Sequence, residues 1–249
     1  MALRLTGEQR LRLHHRLRRV RATARPSPLL LVIAALFVTV LLSSNLIAVK
    51  LVSFGPWTLP AAVIVFPLSY LFGDVLTEVY GYGAARRVIW LGFCCNLIFV
   101  GFIVAAGALP GAPGAWDSTA QAAYQRVLGF APRLLAASFA AYVAGEFLNA
   151  FIMARLKVAT HGRWLWTRTI GSTLVGQGID SGIFISGAFL GVLPGNILVR
   201  TILYQWAFKT VYEILATPVT YAVVTFLKRR ESEDAYDIGT DFNPFSLAR

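Results

Sequence analysis

The sequence predicts an all-α membrane protein, a bundle of six transmembrane helices with both ends in the cytoplasm. Three observations predict it. Of the 249 residues 57% are apolar and only 14% charged, where a soluble domain carries about 25% charged residues. The apolar residues fall in six runs too long and too uniform for strands or for the amphipathic helices of a soluble core. The cations also partition: eighteen of the 23 lysines and arginines sit in the N-terminal arm, at Arg86 and Arg87, in the 155–168 connector and in the C-terminal tail. Four others (Lys50, Arg126, Arg133, Arg200) lie in the alternate connections, and Lys209 alone lies inside a run. That asymmetry puts the cation-rich segments, and so both ends, on the cytoplasmic side.

Residues 1–28 form a basic arm with eight arginines and one acid, Glu8. Leu3, Leu11, Leu13 and Leu17 are interleaved among the cations, the pattern of a surface helix against anionic lipid. An Arg-rich, acid-poor arm is also the composition of a mitochondrial transit peptide. Pro26 and Pro28 end it. Residues 29–227 make one transmembrane domain, and 228–249 a charged cytoplasmic tail.

The first span, 29–49, is too long for a signal-peptide core and is kept as a permanent helix. It ends on Ser43, Ser44 and Asn45, polar groups expected to face other helices. The second span, 58–80, carries Pro60 near its start and Pro67 inside it, which predicts a kink or break. The third, 88–109, is closed by Pro110. Residues 111–132 make the longest link, with a short interfacial helix expected over 118–128. The fourth span is 133–156. A connector with His161, Trp164 and Trp166 follows, and its tryptophans have the character of interface anchors. The fifth span, 169–193, is rich in glycine, and the sixth, 197–227, contains Pro218. Cys94 and Cys95 are adjacent inside an apolar run, which fits neither a disulfide framework nor a metal site and makes them small packing residues.

The chain is organised around residues 72–90, where one apolar run closes and the next opens. Asp74 and Glu78 sit there, four residues apart and so on one helix face. An ionised carboxylate in hydrocarbon costs about 2.5 kcal/mol or more, so two on one stripe imply a protein-lined or wet interior, or else a position just past the membrane. The intramembrane polar set is completed by Glu146, Asn149, Gln177, Asp180, Lys209 and Glu213. Glu146 with Asn149, Gln177 with Asp180, and Lys209 with Glu213 recur at helical spacing, so several helices can aim polar stripes at one cavity. Lysine before glutamate is the weaker order for a helical pair, which leaves Lys209 free to meet Asp74 or Asp180 across the bundle. The structural alternative is that these residues are buried ion pairs locking the packing. Gly176, Gly178 and Gly182 around Asp180 favour a close neighbour or ligand there.

Enzyme chemistry finds little support. All three histidines (14, 15 and 161) lie in cytoplasmic segments, and no zinc motif, phosphate loop or Ser-His pair is present. Ser172 or Ser181 would have only Lys209 to activate it. A repeated pore filter is also absent. The expectation is a carrier, not an enzyme.

Four passages carry a resemblance. They are Gly73-Asp74-Val75-Leu76-Thr77-Glu78-Val79-Tyr80-Gly81 followed by Ala85-Arg86, and Gly171-Ser172-Thr173-Leu174-Val175-Gly176-Gln177-Gly178-Ile179-Asp180-Ser181. The others are Lys209-Thr210-Val211-Tyr212-Glu213-Ile214-Leu215-Ala216-Thr217-Pro218-Val219 and Thr240-Asp241-Phe242-Asn243-Pro244-Phe245. With these, residues 43–245 resemble the queuosine precursor transporter family, six-span bacterial inner-membrane proteins formerly grouped with vitamin uptake transporters. The arginine-rich arm lies outside the resemblance. It implies import of 7-cyano- or 7-aminomethyl-7-deazaguanine, without cofactor, metal or nucleic-acid partner.

The polar set suits such a base. A guanine-like edge presents a ring N–H beside an exocyclic amine, and one carboxylate accepts both. Asp180 or Glu78 is expected to do so, with Gln177 or Asn149 serving the carbonyl. Trp206, Tyr212, Phe184 or Tyr70 would stack on the ring, and a cationic aminomethyl group would want a second carboxylate. The expected mechanism is a secondary carrier with its site near the bilayer midplane; proton coupling and facilitated diffusion both remain open, as do homo-oligomerisation and an external ATPase. Two alternatives stand beside it: a substrate-capture subunit of an energy-coupling-factor type system, and a membrane-embedded enzyme acting on lipid.

Overall fold

The computed structural model describes residues 27–48, 50–54, 57–111, 115–129, 132–192 and 194–246. The basic arm lies outside them except for its last two residues. Helix α1, Pro28–Ile47, begins on Ser27, whose hydroxyl accepts from the Leu29 and Leu30 amides at 3.1 and 3.2 Å. Proline at the first helical position completes that start.

A β-hairpin follows, β1 Leu51–Phe54 against β2 Trp57–Pro60, antiparallel with Leu51 opposite Pro60 and Phe54 opposite Trp57. A 3-10 turn, Ala61–Ile64, leads into α2, Pro67–Tyr80. The second span is therefore a helix only from Pro67, and residues 58–60, expected to be helical, are strand. The physical reason is proline: neither Pro60 nor Pro67 can donate a backbone hydrogen bond, so Pro60 closes a strand and Pro67 starts a helix.

Gly81, at φ +82°, ends α2 and lets α3, Tyr82–Ala108, start one residue later. The third span thus begins six residues before the expected position 88. Helix α4, Ala115–Leu128, occupies the long link, as expected for its 118–128 core. Helices α5, Pro132–Ala159, α6, Leu165–Phe189, and α7, Gly195–Glu231, complete the fold. Length and hydropathy qualify five stretches to cross a membrane: α1, Ala61–Tyr80, α3, Ala136–Ala159 and α7. Helix α6 is not among them, since it carries Arg168, Gln177, Asp180 and several glycines.

The bundle is polar inside and apolar outside. Leu31, Phe102, Leu215, Val219 and Phe226 are exposed, while Asp74, Glu78, Glu146, Arg168, Gln177 and Glu213 are buried. Phe37, Leu41, Val75, Leu76, Ile89, Tyr142 and Met153 form the apolar core between α1, α2, α3 and α5. Cys94 and Cys95 are free, and Cys94 is exposed on α3 instead of packed as expected. Trp164 and Trp166 are exposed at the start of α6.

Helices α5 and α6 cross with their backbones in near contact at Gly145 and Gly176. A Cβ on Gly176 would stand 3.0 Å from the Asn149 Cβ and 3.1 Å from the Gly145 carbonyl oxygen. A Cβ on Gly182 would meet nothing within 4 Å, so of the three glycines near Asp180 it is Gly176 that the packing requires. Gly176→Val is expected to cost about 1–3 kcal/mol by overpacking, while Gly182→Ala costs nothing or stabilises by about 1 kcal/mol. Thermal unfolding in detergent checks this; equal effects at the two positions would contradict it.

Candidate functional site

The polar residues divide between the two ends of the bundle. At the end carrying the hairpin, a cavity of about 90 Å³ is lined by residues of α1, the 3-10 turn, α5, α6 and α7. Asp180 and Lys209 stand in its wall with Phe66 and Phe184. The Lys209 ammonium donates to Asp180 at 2.5 Å and lies 4.4 Å from the centre of the Phe66 ring. Lys209 therefore meets Asp180 across the helix interface, not Glu213 on its own helix. Aromatic walls with a few polar groups are the kind of lining that small-molecule sites carry.

Deeper in the bundle lies a chamber of buried polar groups. Asn149 donates to Asp74 at 2.7 Å. Glu213 and Glu146 both lie close enough to Asp74 to repel it when ionised, and Asp180 lies close to Glu146. Both oxygens of Glu146 and of Glu213, both amide atoms of Gln177 and the Tyr70 hydroxyl have no protein hydrogen-bond partner. A fold seldom leaves so many buried polar atoms unpaired except where a ligand, ion or water is received.

The other end is closed by ions. Glu78, fully buried, accepts from Arg168 through Nη2 at 2.8 Å and Nε at 3.1 Å, and from Lys228 at 2.7 Å. The Lys157 ammonium is 3.6 Å away and donates to the Glu78 carbonyl at 2.5 Å. One carboxylate thus joins α2, α5, α6 and α7. Lys157 and Lys228 also share Asp234 of the tail, at 2.6 and 2.8 Å. Partial burial opposes the Asp234 charge, but the two ammonium groups outweigh it and hold its carboxyl below the usual carboxylate range.

The tail then straps this end. The Ala235 amide donates to the Val79 carbonyl at 3.0 Å, and Asp237 accepts from the Tyr82 amide at 2.9 Å. Arg86 donates to the carbonyls of Asp241 and Asn243 at 3.1 and 2.7 Å, and Trp90 to that of Pro244 at 2.7 Å. Ser27 and Tyr80 both bond to Glu231.

Of the ten residues expected at a site, Asp74, Glu146, Asn149, Asp180, Lys209 and Glu213 are brought together, and Gln177 is buried on α6 with its amide unpartnered. Glu78 is not among them, because its oxygens are committed to cations at the opposite end. Trp206 donates to the Leu174 carbonyl at 2.9 Å and packs against Gly178, away from the cavity wall. Tyr212 is only half-buried and off the α7 face that holds Lys209, Glu213 and Thr217. Sequence reasoning missed Phe66 and counted Lys157, Arg168 and Lys228 only among the cations of the cytoplasmic segments. Their one signal was position: each sits next to the end of an expected span, where a side chain can turn back into the bundle.

Comparisons with known proteins give the family. The family described as "Putative vitamin uptake transporter" matches residues 60–223. A "Probable queuosine precursor transporter" of Bacillus subtilis is 30% identical over 189 residues, covering 76% of this chain and 81% of that protein. The "Queuosine precursor transporter" of Escherichia coli is 28% identical over 124 residues, 50% of this chain and 52% of that one. No solved structure matches.

Glu78→Gln leaves the buried Arg168 without a carboxylate and Lys157 and Lys228 with Asp234 alone, and is expected to cost about 3–5 kcal/mol. Asp234→Asn, at a side chain 45% exposed, is expected to cost about 1 kcal/mol or less. Unfolding of the two variants in detergent gives the comparison, and an Asp234→Asn loss as large as that of Glu78→Gln would contradict it.

Proposed function

The chain belongs to the family of vitamin uptake and queuosine precursor transporters, a multi-pass protein of the bacterial inner membrane, and on that premise we propose that it carries a 7-deazaguanine base inward as a secondary carrier. The observation that carries this reading is the Asp180–Lys209 pair in the wall of an aromatic cavity. A guanine-like edge offers two donors beside a carbonyl. Asp180 accepts the two donors and Lys209 donates to the carbonyl, so the pair is the complement of that edge. Phe66 and Phe184 flank the ring, each stacking contact worth about 1–3 kcal/mol in other base sites.

The helices cross six times, α6 included, because its polar residues face the bundle while Leu174, Val175 and Ile179 face outward. The tail end is cytoplasmic, since Arg86, Arg87, Lys157, Arg163, Arg168 and the 228–230 cations gather there. The cavity then lies in the outer half, and the Glu78 cluster with its strap closes the inner half. This is the outward-facing arrangement of an alternating-access carrier, and opening the inner side requires Glu78 to part from Arg168 and Lys228.

Cells unable to make queuosine, supplied with 7-cyano- or 7-aminomethyl-7-deazaguanine at low concentration, test the reading. Queuosine in their tRNA should appear only with this protein, and Asp180→Asn should lower it at least ten-fold while the variant still reaches the membrane. No rescue by wild-type protein in the membrane would refute the substrate; full rescue by Asp180→Asn would remove Asp180 from the site.

A further inference from the structure

The carrier reading uses Asp180 and Lys209 and leaves the chamber behind them unexplained. Five carboxylate oxygens there have no protein partner: Oδ2 of Asp74 and both oxygens of Glu146 and of Glu213. The groups that face them come from four helices. Helix α2 contributes Tyr70 and Asp74, α5 contributes Tyr142 and Glu146, α6 contributes Asp180, and α7 contributes Lys209 and Glu213. Lys209 is bound to Asp180, and Glu78, one turn along α2, is neutralised by Arg168, Lys157 and Lys228. Helix α1 has no charged residue, and on α3 Arg86 is bound to the tail.

Acids alone would not mark a site. Tyr70 supplies the second observation. Its side chain is 0% exposed and its hydroxyl is unpartnered. The hydroxyl lies beside Asp180, Glu146 and Asp74, and both it and the Asp180 Cβ reach Gly145. It is a group able to donate to and accept from whatever the acids hold. Among the described residues no set of acids, histidines and cysteines has the geometry of a metal site.

Three clustered carboxyl groups without a counter-cation cannot all be ionised at this depth, so the charge they shed must be met by protons. We infer that Asp74, Glu146 and Glu213 form a proton-binding site that couples base import to the inward proton gradient. The inference rests on the carrier reading. Hydronium on the outer side gives its proton to a carboxylate, forming a carboxyl O–H and leaving water, and on the inner side the carboxyl returns the proton to water. Nothing is oxidised or reduced. Coupling follows from desolvation. A base seated in the cavity displaces water beside the acids and favours their neutral form, and by reciprocity protonated acids favour the seated base.

The test uses the full chain in proteoliposomes with the membrane potential clamped at zero. The probe is labelled 7-cyano-7-deazaguanine, which carries no ammonium charge to confuse the reading. With the outside one pH unit below the lumen, the base should accumulate up to about ten-fold, the factor in one unit for one proton per base. A protonophore should abolish the accumulation, and Glu146→Gln and Glu213→Gln should lose it. Exchange of base for base at equal pH reports the carrier reading by itself. Exchange without gradient-driven accumulation in the wild type overturns the proton site and leaves the carrier standing. No exchange in the wild type overturns both.

Discussion

A carboxylate at bilayer depth needs a partner, and the arrangement of this protein follows from how each of its five buried acids meets that need. Glu78 is met by three cations and becomes a joint between four helices. Asp180 is met by one cation at a cavity wall, where a ligand can compete for it. Asp74 is met by an amide on one oxygen. Glu146 has only the Ser69 hydroxyl beside it, and both oxygens of Glu213 are unpartnered. The same side-chain chemistry thus gives a four-helix joint, an ion pair at a cavity wall and a chamber, separated only by what surrounds each oxygen.

The backbone sets these surroundings. Pro67 delays α2 until after the hairpin and 3-10 turn, so that Phe66 sits at its start beside Lys209. Gly145 and Gly176 let α5 and α6 approach until Glu146, Asn149 and Asp180 come together. Helix α7, with 37 residues, is about 56 Å long at the standard rise, well beyond the roughly 30 Å of hydrocarbon. That length lets one helix carry Lys209 in the cavity wall and Lys228 in the lock. The tail then returns across α2 and α3, tying Arg86 and Trp90 to the same end.

Much of this was legible in the sequence, for reasons that particular residues make plain. Intramembrane acids are costly, so Asp74, Glu146, Asp180 and Glu213 stood out as inward-facing groups, and the weak order of the Lys209–Glu213 pair pointed to a partner elsewhere. The hairpin was not legible, because Leu59 and Pro60 run without a break into the apolar residues 61–66 that lead to the helix. Nor was the division of labour between Asp180 and Glu78: helical spacing puts Glu78 and Asp74 on one face but says nothing of the cations that reach Glu78 from three other helices. Arg168 and Lys157 were counted by the charge asymmetry of the loops, a rule that is blind to side chains folding back into the bundle.

The central claim is that the Asp180–Lys209 pair reads a guanine-like edge. Direct binding to the purified protein tests it, comparing 7-aminomethyl-7-deazaguanine with the corresponding 7-deazaadenine. The adenine edge exchanges the carbonyl for an amine and the ring N–H for an acceptor, so it opposes donor to Lys209 and acceptor to Asp180. Mismatched buried polar groups of this kind discriminate strongly, and the account predicts at least a hundred-fold weaker binding of the adenine analogue, with the difference lost in Asp180→Asn. Equal binding of the two bases by the wild-type protein would contradict it.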